Sequence, residues 1–319
     1  MRPFRFFMLF LMFVSLSCGN DSKQMSSMNT DASSVYRPTK GGLISTRFKS
    51  LEELKSVIDI EYFGTSPDTI FSPDERSEVH LTHACNGQSV TAILEWGISD
   101  HDLTKARDGN LWDRIELILK EPYLTTKRND LIRVFNFARR RGYLYGEGDV
   151  AFYDVALVMF GNISTADLDA VSPEDHGEKG FINTFNHITA QAFLATVFSE
   201  KFTDFIADMH ERGNLPELVS GKFTAAQLKD RDKGPVDNYV DIINNEWGQE
   251  LGKTLKAKYG INRYTHWTDE LLANYLNDIQ SYYSWAFQIN FKPFDAEDRF
   301  VKNYVIKINR VMNNVEGFN

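Results

Sequence analysis

The apolar side chains of this chain recur at mixed three- and four-residue spacing over most of its length, the signature of amphipathic helix. Ser50-Leu51-Glu52-Glu53 is a capping box that leads into Leu54, Val57 and Ile58 on one helical face. Ser72-Pro73-Asp74-Glu75 predicts a second helix start, with proline in the first turn, and that helix would carry His80 and His83. Residues 89–103, 111–119, 128–140 and 150–160 repeat the pattern, with Asn110 and Thr125 or Thr126 as N-caps and Gly142 and Gly161 as stops. The run 150–160 suits a buried helix or a buried strand, and its length and neighbours favour helix. After a polar loop at 168–180, helices are predicted over 181–198, 200–212, 235–258 and 268–289, with a last one within 294–313. The expected fold is all-α, a multi-helix globular domain with no substantial sheet. It would occupy residues 48–319, as an N-terminal helical half (48–165) and a second half (166–319).

Three of these helices carry polar stripes beside their apolar faces. On the first, Phe181, Phe185, Ile188, Ala192 and Ala195 share one side, while Asn183, His187 and Gln191 recur at i, i+4 and i+8 on the other, with Asn186 beside them. On the second, Phe202, Phe205, Ile206 and Met209 form the inner face, Asp204, Asp208 and Glu211 the outer one, and His210 the margin. On the third, Val236, Val240, Ile243 and Trp247 make an apolar stripe flanked by Asp237, Asp241, Asn244, Gly248 and Gly252, while Asn245 points about 100° away. Two in-line glycines inside a helix, each costing about 1 kcal/mol against alanine, predict close approach of a backbone or a ligand. A buried polar side chain left without a partner costs roughly 1–3 kcal/mol, so the first and third stripes should face each other or a ligand.

Composition narrows the chemistry. The 319 residues are 42% hydrophobic and 13% aromatic, enough for a sizeable core. The formal charge is −9, and Arg2 and Arg5 are the only charged side chains in residues 1–17, so loss of that segment makes the remainder more acidic still. Phosphate binding needs clustered cations, so nucleic acid is excluded as a partner and Arg139-Arg140-Arg141 reads as a solvated helix end. There is no glycine-rich phosphate loop, no G-x-S-x-G elbow, no H-E-x-x-H and no EF-hand spacing. His80-x-x-His83 with Cys85 resembles half of a zinc site on a helix, but no second Cys/His pair completes it, so ordinary hydrogen-bonded histidines are expected.

The N-terminus reads as an address. Arg2 and Arg5 precede an apolar run at 6–16 that is too short to span a bilayer as a mature helix. It ends in Ser15-Leu16-Ser17-Cys18, which resembles a bacterial lipoprotein lipobox with Ser15 where Leu is usual. The expectation is a signal peptide at 1–17, an acyl anchor on Cys18 and attachment to the cell envelope. Gly19 after the cysteine favours the outer membrane. Residues 18–47, rich in Ser, Asn, Asp, Thr, Lys and Gly, would form a flexible tether, and Cys85 would be a buried thiol.

The pattern N-x-x-N-H-x-x-x-Q, D-x-H-E and D-x-x-N-N-x-x-G resembles an uncharacterised all-helical domain family of secreted and toxin-like bacterial proteins, over about residues 183–255. His187, Asp208, His210, Glu211, Asp241, Asn244, Asn245 and Gly248 fall on its motif positions. Where the family has Arg before the first histidine this chain has Asn186, so any anion-binding role of that Arg is lost or moved. The resemblance implies a site without naming its reaction.

Two functions fit. One is a hydrolase acting on an envelope component, peptidoglycan or phospholipid. His187 or His210 would be its general base, Glu211 or Asp241 would orient that base or hold a divalent metal, and Asn244 or Asn245 would polarise the substrate. Asn183, Asn186, Gln191, Asp237 and Gly248 would line the substrate. The other is a non-catalytic structural or binding lipoprotein whose polar network clamps the helices.

Overall fold

The structure, a computed structural model, describes residues 40–64 and 77–313. The signal-like run, Cys18, most of the expected tether and Ser72-Pro73 lie outside the described residues. No helix among the described residues is long and apolar enough to cross a membrane.

The end of the expected tether is built into the domain. Residues 41–45 are buried, and Lys40 N–H donates to the Ala286 carbonyl at 2.8 Å. A 3-10 turn, Ser45–Arg47, follows. Ser50 then caps α1 (Leu51–Leu54) by accepting from Glu53 N–H, as its capping box predicts. The chain does not continue as helix. It enters β1 (Ile58–Phe63), β2 (Glu78–Cys85) and β3 (Gln88–Glu95), a three-stranded antiparallel sheet in that order. The molecule is therefore mostly helical with one small sheet, not all-α. Asn86-Gly87 makes the β2–β3 turn with both residues at positive φ, which asparagine and glycine tolerate best.

The sheet also settles the histidines. A strand alternates its side chains, so residues three apart face opposite sides. His83 points inward, where its Nδ1 accepts from Trp247 Nε1–H at 2.9 Å. His80 points outward, where Glu78 stands 2.9 Å away and the Phe63 ring packs against it. They share no face, and the zinc-like reading of this pair falls. Cys85, at the end of β2, is only partly buried.

Helices α2 (Asp100–Asp108), α3 (Leu111–Lys120), α4 (Tyr123–Thr126), α5 (Arg128–Phe137), α6 (Gly142–Tyr145), α7 (Phe152–Gly161) and α8 (Thr165–Ala170) follow. Asn110 caps α3 as predicted, accepting from Trp112 N–H at 2.7 Å. The expected helix at 89–103 is instead β3 and the start of α2, because Val90, Ala92 and Leu94 alternate into the core while Ser89, Thr91 and Ile93 face out.

The second half is α9 (Asn183–Val197), α10 (Glu200–Asn214), α11 (Ala225–Lys229), α12 (Pro235–Tyr259), α13 (Asp269–Phe287) and α14 (Arg299–Asn313). A short π-helical turn, Glu178–Ile182, leads into α9. Helix α9 is buried on nearly every side, packing Phe185, Ile188, Phe193 and Leu194 into the larger core with α7, α13 and α14. Helix α12 divides two cores. Its stripe Val236, Val240, Ile243 and Trp247 covers the inner face of the sheet, where Val79, Leu81, Val90 and Leu94 meet it. Its other side lies along α9. There a Cβ on Gly248 would come within 2.7 Å of the Ile188 carbonyl, and one on Gly252 within 2.3 Å of that of Ala192. The in-line glycines let two backbones touch, and this close approach places the polar stripes opposite each other.

Candidate functional site

The site lies where α9, α10 and α12 meet, with one principal side chain from each. His187 stands on α9, Glu211 on α10 and Asp241 on α12, and each offers a nitrogen or oxygen within 4.8 Å of the other two. His187 Nε2 is 3.4 Å from Asp241 Oδ2, and its Nδ1 is 3.9 Å from Glu211 Oε1.

Amides set the orientation of all three. Asn245 Nδ2 donates to Glu211 Oε1 at 3.3 Å, so its Oδ1 is the atom 2.9 Å from His187 Nδ1. That contact assigns the proton to Nδ1 and leaves the Nε2 lone pair toward Asp241. Asn183 Nδ2 donates to Asp241 Oδ1 at 2.8 Å, which leaves Oδ2 facing the imidazole. One turn earlier on α12, Asp237 accepts from Lys179 Nζ at 2.8 Å. Glu211 Oε2, Asp237 Oδ1 and Gln191 Oε1 are buried without a hydrogen-bond partner.

Burial dominates the electrostatics. It lowers the His187 pKa to about 4, helped by the charge of His210, so the ring is neutral at physiological pH. Asp241 is raised to about 7 by burial, against the pull of Lys179. Asp237 is likewise raised to about 7 by burial and by the charge of Asp241. Glu211, only 1% exposed, is pushed well above the usual carboxylate range by burial and by Asp241 and Asp237.

A small recess of about 20 Å³ opens beside this group, lined by Asn186, His187, Gln191, His210 and Asn245 with apolar Ile206 among them. The His187 and His210 ring centroids are 6.3 Å apart across it. His210 stands at the rim, with Asn214 Nδ2 3.3 Å from its Nε2.

The predicted residues separate into groups. His187, Glu211, Asp241, Asn245, Asn183 and Asp237 converge, and Asn186, Gln191 and His210 line the recess. Asn244 does not join them. It is 0% exposed and faces the Leu43 main chain, accepting from its N–H at 2.7 Å and donating to its carbonyl at 2.9 Å. Its direction, one residue and about 100° from Asn245, takes it away from any substrate. Gly248 is not a substrate contact either, since α9 occupies the space above it. Asp208 faces the other way, 3.5 Å from Arg212, whose guanidinium donates to the carbonyls of Glu95 and Ile98. Glu211, expected on the outer face, is sealed because α12 covers that side of α10. Lys179 has no signal in the sequence, since it lies in a polar loop without periodicity.

No protein-family model, curated protein or solved structure matches this chain.

Proposed function

We propose that the chain is an envelope-anchored hydrolase, held by an acyl group on Cys18 at the outer membrane, whose recess between α9 and α10 holds the attacking water for an envelope component bound at its rim. The observation that carries this reading is the pair of imidazoles facing one recess with three buried carboxylates behind it. His210, at the rim, is the residue placed to exchange protons with an incoming water. His187 donates through Nδ1 to Asn245, and with Asn245 it sets the polarity of the wall. At about 20 Å³ the recess has room for about one water molecule, so a substrate would lie against its rim with that water beside the imidazoles. The resemblance to secreted and toxin-like helical domains is compatible with this reading.

The test is hydrolysis of peptidoglycan and phospholipid fractions by the full chain in detergent. His210→Ala and His187→Ala are expected to lose turnover by at least about 100-fold while keeping the fold. The second reading, a non-catalytic lipoprotein with a polar helix clamp, is favoured by the Asn244–Leu43 contact and the Gly248–Ile188 approach. It predicts that the same variants change the melting temperature alone.

A further inference from the structure

We propose that His187, Glu211 and Asp241 bind one divalent transition-metal ion, one ligand from each of three helices. This deepens the reading above and rests on it only for the location of the site, not for the reaction.

Three independent observations support a cation here. The first is geometric: the three ligand atoms lie within 4.8 Å of one another, so small side-chain adjustments would bring each to about 2.0–2.2 Å from a single ion. The second is how the lone pairs are assigned. Asn183 occupies Asp241 Oδ1, and Asn245 occupies both Glu211 Oε1 and His187 Nδ1. Those amides hold each ligand by its other polar atom, as outer-shell partners do at metal sites. What remains is His187 Nε2, Asp241 Oδ2 and Glu211 Oε2, and the last is buried in a side chain 1% exposed with no hydrogen-bond partner. An unmet buried carboxylate oxygen is costly, and a cation would satisfy it. The third is charge. Asp237, Asp241 and Glu211 bring three formal negative charges, and Lys179 supplies one positive charge through its 2.8 Å contact with Asp237. With all three ionised, two negative charges are left, which one divalent ion would balance as it displaces the protons that burial otherwise holds there.

The donor set of one imidazole and two carboxylates suits zinc, manganese or iron better than calcium, which takes oxygen alone. Every ligand comes from a different helix, separated from the next by 24 and 30 positions. No local ligand motif exists in such an arrangement.

The experiment is titration of the full chain in detergent, stripped with chelator, by Zn²⁺, Mn²⁺ or Ca²⁺ alone, read by calorimetry and by melting temperature. The expected result is one Zn²⁺ or Mn²⁺ per chain and a raised melting temperature, with Ca²⁺ much weaker. Glu211→Gln and Asp241→Asn keep the side-chain shape and remove a buried charge. They are expected to fold at least as stably as the unsubstituted protein without metal, and to bind at least about 100-fold more weakly. Asp208→Asn, outside the site, is expected to bind unchanged. No binding by the unsubstituted protein, or equal binding by Glu211→Gln, overturns the site. Metal binding without hydrolysis keeps the site and removes the hydrolase reading; hydrolysis without metal binding does the reverse.

Discussion

The Asn244 carboxamide and the Leu43 main chain form a two-point hydrogen-bonded ring, with Leu43 N–H giving to Oδ1 at 2.7 Å and Nδ2 giving to the Leu43 carbonyl at 2.9 Å. A helix side chain here does what a neighbouring strand would do. It satisfies the backbone of a segment that passes through the interior without regular structure of its own, and Thr184 adds a third hydrogen bond at 2.9 Å.

Asn244→Ala should therefore act on stability and not on the site. It leaves the Leu43 amide buried without a partner, and a loss of about 2–4 kcal/mol is expected. Urea unfolding measures the loss. Zn²⁺ affinity of the folded fraction should be unchanged, which separates Asn244 from its neighbour Asn245.

The glycines of α12 give a contrast with an ordinary helix glycine. Gly248→Ala and Gly252→Ala would gain about 1 kcal/mol in helix propensity. Each new methyl, however, would sit 2.7 Å or 2.3 Å from a carbonyl oxygen of α9, so a net loss of about 1–3 kcal/mol is expected. Gly161, with nothing within 4 Å of its missing Cβ, should tolerate alanine or gain a few tenths of a kcal/mol. Thermal denaturation of the three variants side by side makes the comparison.

The bounds of the long helices α9, α10, α12 and α13 were legible from apolar spacing, and so were the stripes Asn183/His187/Gln191 and Asp237/Asp241. What was not legible depends on neighbours in space. The burial of Glu211 follows from α12 lying over α10, and a wheel drawn for α10 alone puts that carboxylate in solvent. Leu43 sits in a low-complexity stretch whose burial is decided by Asn244, about two hundred residues away. The sheet was missed for a different reason. Val79, Leu81 and His83 alternate over too few residues to outweigh the helical pattern around them, although Asn86-Gly87 is a hairpin signal in its own right.

Stability should fall as pH rises above neutrality. Burial and the charges of Asp204, Asp208 and Glu250 raise Glu246 to about 9, against Lys253. Burial and Asp204 raise Asp208 to about 8, against Arg212. Both hold their protons more tightly folded than unfolded, so their contribution is full below about pH 4 and disappears as pH passes through 8 and 9. His187 and His83, each lowered to about 4 by burial, have the opposite sign and cost stability as pH falls below 6.5. Between pH 6.5 and 9 the carboxylates alone decide. The melting temperature in chelator should fall by several degrees across that window, and Glu246→Gln should flatten the slope.

Lys307 on α14 is buried, with Nζ 2.8 Å from the Arg139 carbonyl and 3.0 Å from Asp149 Oδ1. Lys307→Met would leave Asp149 charged and enclosed, at an expected cost of about 3–5 kcal/mol. The double variant with Asp149→Asn should recover most of that loss, and a double-mutant cycle in urea gives the coupling directly.

The buried segment ahead of α1 has a mechanical consequence. Lys40 is tied to Ala286, Leu43 to Asn244, and Ser45 Oγ donates to the carbonyl of Lys179 at 2.5 Å. A pull on the chain from its N-terminal side would meet α13 first, then the middle of α12, then the turn that carries Lys179. These attachments bear load in series, and the last two lie on the elements that hold Asp241 and Asp237. Tension entering here would be borne by the framework of the site itself and not by a free linker.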